Sequence, residues 1–263
     1  MCDATTNAGG RSFRNFEGGQ LGAIPFSQAF AESCNTAMIT STAPVDQAGL
    51  TAAAERFGFN ADYSVGLNTV GGSYPEPVDA TEKAAASIGQ GRVTASPLHM
   101  ATVAAAVTDG SWEAPTLLVD PPSVDEEASA GEGDGEAAGT TTATDAAGGT
   151  APETAPTTAA ASASTETTAA GDGDAARPEP TTIDPANRTT LAELMRLVVT
   201  NGSGSAAATP GLSVGGKTGT AEFGSGDPPP THAWFIGFAD NLGVAVFLEN
   251  GGVGGRDAAP VAG

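Results

Sequence analysis

The sequence predicts an α+β domain, with helices packed on an antiparallel sheet gathered near the C-terminus. Three observations predict it. Apolar side chains recur at helical spacing in three stretches before residue 202. Beyond residue 212 the spacing changes to period two. Between the second and third helical stretches lies an acidic run of Ala, Thr, Gly and Pro with almost no branched or aromatic side chains. Elements segregated in this way, helices first and strands last, belong to the α+β class.

Leu50, Ala53, Ala54 and Phe57 place the first of these helices, and Gly58 supplies its stop. Ser96-Pro97 opens the second, with a capping hydroxyl and a proline in the first turn. Met100, Val103, Ala104 and Val107 form its apolar face, which ends near Gly110. Residues 121–182 cannot bury enough apolar surface to offset the entropy of ordering, so a disordered insert is expected there. Such an insert costs a fold little, because loop-closure entropy grows only logarithmically with length. The third helix is expected to start at a capping box, Thr190 with Glu193, backed by Leu191, Leu194, Met195 and Val198 and ended by Gly202. Strands are expected over Leu212–Phe223, His232–Ala239 and Leu242–Glu249, the last two joined by Asp240-Asn241 as a hairpin. Residues 1–120 and 183–263 are therefore read as two parts of one domain, interrupted by 121–182.

Charge and composition narrow the function. The net charge is −21, with 10 basic residues against 31 acidic ones, which excludes nucleic acid as an expected partner. Twelve of the acids lie in 123–182 against Arg177 alone, so the remainder is only moderately acidic. No stretch approaches the roughly 20 apolar residues that cross a bilayer. Met1-Cys2-Asp3-Ala4 has neither a basic nor an apolar leader region. Cys2 and Cys34 allow at most one disulfide and are expected to be isolated thiols. With two histidines, His99 and His232, no metal site is expected, and no cofactor is implied.

Two short boxes carry chemistry. One is Ser33-Cys34-Asn35 and the other is Lys217-Thr218-Gly219-Thr220. Alone, each has a plain structural reading, as a helix cap and as a solvated lysine at a strand start. Together, and with Phe26–Ile39, Ile88–Leu98 and Lys217–Phe238 around them, they resemble the penicillin-recognising serine acyltransferases. The resemblance is greatest to class B penicillin-binding proteins, the D,D-transpeptidases that cross-link peptidoglycan, and it has an actinobacterial character. It covers about 200 residues, everything except the acidic run. The family's boxes are Ser-x-x-Lys, Ser-x-Asn and Lys-Thr-Gly.

The resemblance implies a penicillin-binding transpeptidase / serine β-lactamase-like fold and a role for each box residue. Ser33 would relay a proton towards the departing D-alanine, and Asn35 would hold the amide of the acyl side. Lys217 would place a positive charge beside that relay and the substrate carboxylate. Thr218 and Thr220 would offer hydroxyls to the carboxylate, with the Thr220 N–H as an oxyanion donor. Gly219 would let the strand edge come close to substrate. Trp234 and Phe235 are expected to pack on the sheet, and Gly89-Gln90-Gly91 to form a structural turn. Cys34 is expected to point away from substrate, and Glu222 to face solvent. The implied ligands are a peptidoglycan stem peptide ending in D-Ala-D-Ala and the β-lactams.

The first box is absent. The chain has two lysines, and three positions before Lys83 and Lys217 stand Ala80 and Val214. The expectation is therefore a transpeptidase domain incomplete at its N-terminus and without its nucleophile, inactive alone, from a parent anchored outside the cytoplasmic membrane. Its division or elongation partners stay open. One alternative is a non-catalytic module that binds cell-wall peptide or a partner. Another is a serine β-lactamase fragment, which Ser64 disfavours by standing where the Glu of Glu-x-x-Leu-Asn would precede Leu67-Asn68.

Overall fold

The computed structural model describes residues 1–67, 69–117, 177–226 and 228–263. Most of the 121–182 run lies outside them. The described chain gathers its N-terminal helices and C-terminal strands into a single compact unit.

That unit opens with a hairpin the sequence reading did not anticipate, β1 (Thr5–Ala8) against β2 (Arg11–Arg14). Gly9 and Gly10 turn it with φ of +57° and +84°, the double left-handed pair that a two-residue hairpin needs. Two short helices follow, α1 (Phe26–Ala31) and α2 (Asn35–Thr42). Next is α3 (Gln47–Glu55), capped by Asp46, whose carboxylate accepts the Gly49 N–H at 2.8 Å. Gly58 lies just beyond it at φ +76°, where a Cβ would run into the Trp112 ring.

A small pair, β3 (Gly72–Ser73) with β4 (Thr94–Ala95), brackets α4 (Ala80–Ala86). Helix α5 (Pro97–Asp109) starts and stops as its sequence predicts. The Ser96 hydroxyl accepts the His99 N–H at 3.2 Å, and Gly110 closes the helix at φ +86°. His99 itself is fully buried against the edge of Phe59, with neither ring nitrogen hydrogen-bonded among the described residues. Burial holds its pKa down at about 4, so it is neutral at physiological pH.

On the far side of the acidic run, β6 (Thr181–Thr182) pairs with β5 (Ser111–Trp112), so the ordered fold resumes before residue 183. Helix α6 spans Pro185–Asn201. The Thr190–Glu193 capping box is therefore interior to it, which corrects the expected start. Asp184-Pro185 is the stronger signal: the carboxylate accepts the Ala186 and Asn187 N–H groups, and the proline presets φ at the first helical position.

The C-terminal sheet runs β7 (Gly215–Glu222), β8 (Thr231–Ala239), β9 (Leu242–Leu248), all antiparallel and in that order. Strand β7 begins later than the expected Leu212 because the Leu212 N–H is taken by the Thr209 carbonyl in a turn. One sheet face, with Ala233 and Phe235, packs on Val199 of α6 and Ala259 of α7 (Ala259–Ala262). Phe238 of the other face packs on Val107 of α5 and Met195 of α6, and Lys217 shares that face as the register partner of Ile236. A π-helical turn, Gly254–Ala258, leads into α7. It presses Gly254 so closely on the Gly219 and Trp234 carbonyls that no side chain fits.

The cysteines are not isolated thiols. Cys2 and Cys34 form a disulfide with a Cα–Cα distance of 6.0 Å. Backbone bonds explain the approach. Cys2 N–H donates to Gly22 O at 2.8 Å, and Gly22 N–H donates back to Cys2 O at 3.0 Å, which lays the N-terminus beside α2. Asn15 completes the tie. Its amide donates to Asp3 O at 2.8 Å and Gly19 O at 2.7 Å, and its oxygen accepts the Thr36 N–H at 3.0 Å.

Candidate active site

Ser33 sits in the turn between α1 and α2. Its N–H donates to Phe30 O at 3.1 Å, and the Cys34 N–H reaches Ala29 O at 2.9 Å, so the end of α1 folds back on itself. The turn forces Ser33 to φ +57°, the left-handed region that side chains other than Asn and Asp avoid. Neither Ser33 nor Asn35 caps α2: the residue at the cap position is Cys34, which makes no capping bond, and the Thr36 N–H of the first turn is taken by Asn15 Oδ1. The plain reading of that box as a helix cap is therefore set aside. Instead, the Asn35 amide donates to Arg14 O on β2 at 3.3 Å.

Across the cleft, β7 delivers Lys217. Its Nζ donates to Ser33 Oγ at 2.6 Å and to Thr218 O at 2.9 Å, and stands 5.8 Å from the Phe30 ring centre. Two boxes 184 residues apart thus meet through one hydrogen bond. Burial pushes the Lys217 ammonium down from 10.5 to about 8, because few dipoles replace the water it has lost. An amine with that pKa can hold or release a proton near neutral pH.

The other box residues divide. Strand alternation turns the Thr218 side chain away from the Lys217 face. It is buried, and its hydroxyl shares a 2.7 Å hydrogen bond with Ser203 Oγ. Ser203 in turn donates to Ala31 O at 3.0 Å. The hydroxyl implied for a substrate carboxylate is therefore engaged in joining β7 to the end of α1. Thr220 Oγ1 accepts the Gly254 N–H at 3.2 Å and keeps its own proton to donate. Gly219 carries the close approach expected of it: a Cβ there would stand 3.2 Å from Trp234 Cβ.

Lys217, Gly219 and Thr220 open onto a cavity of about 450 Å³ whose walls include Gln90, Met100 and Trp234. No acidic side chain lines it among the described residues, so an incoming carboxylate meets Lys217 unopposed. Phe235 is fully buried in the core, as expected, but Trp234 is only half-buried and forms part of the cavity wall. Gln90 does more than turn the chain. Its amide donates to Thr220 O at 3.4 Å and fixes the mouth of the cleft. Glu222 stands 3.7 Å from Arg14, a contact the sequence did not show. Ser203 was missed too; it follows Gly202 in a loop where no periodicity marks it. No group of three or more His, Cys, Asp or Glu side chains among the described residues could hold a metal.

A serine hydroxyl thus meets a lysine amine on the edge strand of the β7–β8–β9 sheet, and the cavity onto which Lys217 opens is lined in part by Gly89 and Gly219. The chain belongs to the penicillin binding protein transpeptidase domain family, whose model matches residues 1–263. It is 30% identical over 268 residues to the peptidoglycan D,D-transpeptidase PbpA of Mycolicibacterium smegmatis, covering 95% of this chain and 45% of that protein. The chain thus spans a little under half the length of this relative. Among solved structures, penicillin-binding protein A from M. tuberculosis, as a penicillin G acyl-enzyme complex, superposes with a TM-score of 0.69 at 25% identity, over 99% of this chain and 53% of that one. The D,D-transpeptidase domain of a peptidoglycan glycosyltransferase from Eggerthella lenta also gives a TM-score of 0.69, at 24% identity, over 99% of this chain and 57% of that one. These neighbours share the α+β fold, helices on an antiparallel sheet, predicted from the sequence.

Proposed function

We propose that these residues form the proton-relay and carboxylate-binding side of a peptidoglycan D,D-transpeptidase site, which takes peptides ending in D-Ala-D-Ala and β-lactams. The observation that carries this reading is the 2.6 Å hydrogen bond between Lys217 Nζ and Ser33 Oγ. In transpeptidation a serine oxygen attacks the penultimate carbonyl, the C–N bond to the last D-alanine breaks, and the leaving amine must gain a proton. Ser33 can both accept and donate, so it passes that proton on while Lys217 adjusts the charge beside it. Before reaction, the Lys217 ammonium and the Thr220 hydroxyl bind the terminal carboxylate, and the Thr220 N–H and the amide of Asn35 orient the acyl group.

No Ser-x-x-Lys occurs in the 263 residues, so the attacking serine and its lysine are to be supplied from outside them. The relative captured as a penicillin G acyl-enzyme supports β-lactams as ligands. No described helix is long and apolar enough to cross a membrane. An extracytoplasmic site, where the peptide substrate lies, is part of the same proposal.

A fluorescent penicillin tests it. The 263-residue chain should give no band that survives denaturation, whereas a polypeptide that also carries a Ser-x-x-Lys segment should give one. Lys217→Met in that longer polypeptide should abolish the band. A stable adduct on the 263-residue chain would mean that another serine is the nucleophile, and the assignment of roles would fall.

A further inference from the structure

A second cavity, of about 970 Å³, continues from the cleft on the side of the β1–β2 hairpin. Gln90 and Thr220 line both cavities, and Asn35 is among the residues that line the second. A peptide with its terminal carboxylate on Lys217 and its acyl amide at Asn35 therefore leaves the reacting centre past Asn35 and Thr220, into this second space.

The charges there run against the rest of the molecule. Arg11 and Arg14 line the cavity with Glu222 as the one carboxylate among its described residues, in a chain of net charge −21. Arg14 is loosely committed. Among the described residues its one ion pair is the 3.7 Å contact with Glu222, and the two side chains are 61% and 42% exposed. A pair so long and so wet is worth little and yields readily to a better-placed anion. Arg11 lies 5.8 Å over the Phe13 ring, with no carboxylate partner among the described residues. The backbone of Arg14 adjoins the reacting end, because its carbonyl accepts the Asn35 amide at 3.3 Å.

We propose that the second cavity is the subsite for the part of the stem peptide upstream of its reacting end, and that Arg14, with Arg11 beside it, selects a stem whose internal carboxylate is free over one in which it is amidated. A planar guanidinium offers two parallel N–H donors to a carboxylate and has no comparable match for a primary amide. Glu222 sets the strength of the preference by competing for the same guanidinium. The subsite rests on the transpeptidase reading and adds to it a feature of the substrate distant from the scissile bond.

Two synthetic pentapeptides ending in D-Ala-D-Ala, identical except for one internal carboxylate, free or amidated, test the subsite by titration calorimetry on the 263-residue chain. The free acid should bind about two- to fivefold more tightly, the range expected of a partly exposed charge-assisted pair, and the difference should shrink as salt is raised. Arg14→Gln should abolish the difference, Arg14→Lys should keep part of it, and Glu222→Gln should enlarge it. Equal binding of the two peptides by the unaltered chain, or an undiminished preference in Arg14→Gln, overturns the subsite and leaves the Ser33–Lys217 reading standing. Failure to bind either peptide overturns both.

Discussion

On the Lys217 side of the cleft the backbone is held by continuous ladders: β7 on β8, and β8 on β9, with Phe235 and Ala233 fully buried behind them. On the Ser33 side the residue itself lies in no strand, and only the two-stranded β1–β2 hairpin stands nearby. A turn between two short helices is held by the disulfide, by the amide of Asn15 and by an unfavourable φ. The two sides meet at 2.6 Å, so a site of one geometry rests on two kinds of support. Ladder support is cooperative and fails only when the core fails, whereas turn support is local and can be removed without unfolding the sheet. This difference predicts what each substitution will do.

The largest effect should come from the sheet. Phe235→Ala empties a fully buried site and should cost about 3–5 kcal/mol in denaturant unfolding, with the whole unit lost in one transition. A cost below about 1 kcal/mol would show that the strands do not anchor the Lys217 side. Next is the turn. Replacing both Cys2 and Cys34 with Ser reopens a loop spanning 32 residues and should cost about 2–4 kcal/mol. Hydrogen exchange should quicken around Thr36 and Ala37 while β7 and β8 stay protected. Equal loosening of both regions would erase the distinction between them.

A third effect, on the order of tenfold in affinity, concerns the charge between the two sides. Lys217 binds a proton only up to about pH 8 when folded and up to about 10.5 when unfolded. Between these values the unfolded chain holds more protons, so stability should rise with pH from 8 to 10.5 and then level off. Binding of a D-Ala-D-Ala peptide should run the other way and weaken through pH 8 as the ammonium is lost. Lys217→Met should flatten both profiles. The smallest effect separates hydroxyl from backbone at Ser33. Ser33→Ala and Ser33→Gly both lose the bond to Lys217, but glycine accepts φ +57° freely, so the glycine variant should be the more stable by about 1 kcal/mol. Equal stabilities would mean that the turn relaxes on its own.

The same contrast governs how much could be read from the sequence. The meander was legible because Leu242, Val244, Val246 and Leu248 alternate and Asp240-Asn241 leave room for nothing but a hairpin. Helix α5 was legible because cap, proline and αL glycine all agree. The β1–β2 hairpin was not, since its strands are short and polar, although Gly9-Gly10 is a turn signal that could have found it. The Cys2–Cys34 bridge escaped for a different reason. Spacing along a chain does not report distance in space, and the approach depends on backbone bonds around Gly22 and Asn15. Ser33 and Lys217 were picked out by family resemblance, while their contact belongs to the tertiary fold alone. The side to which Thr218 points was within reach, because alternation from Lys217 already puts its hydroxyl on the opposite face.

The Cys2–Cys34 bond also bears on where the polypeptide can be finished. Closing it removes two electrons, which a compartment rich in glutathione does not readily accept. Chains synthesised and kept in such a compartment would carry an assembled Lys217 strand facing a serine turn that is still open at one end. Export to oxidising surroundings would then be a step in assembling the site as well as a matter of address. Preparations of the same sequence that differ in redox history would differ at Ser33 while remaining alike throughout the sheet.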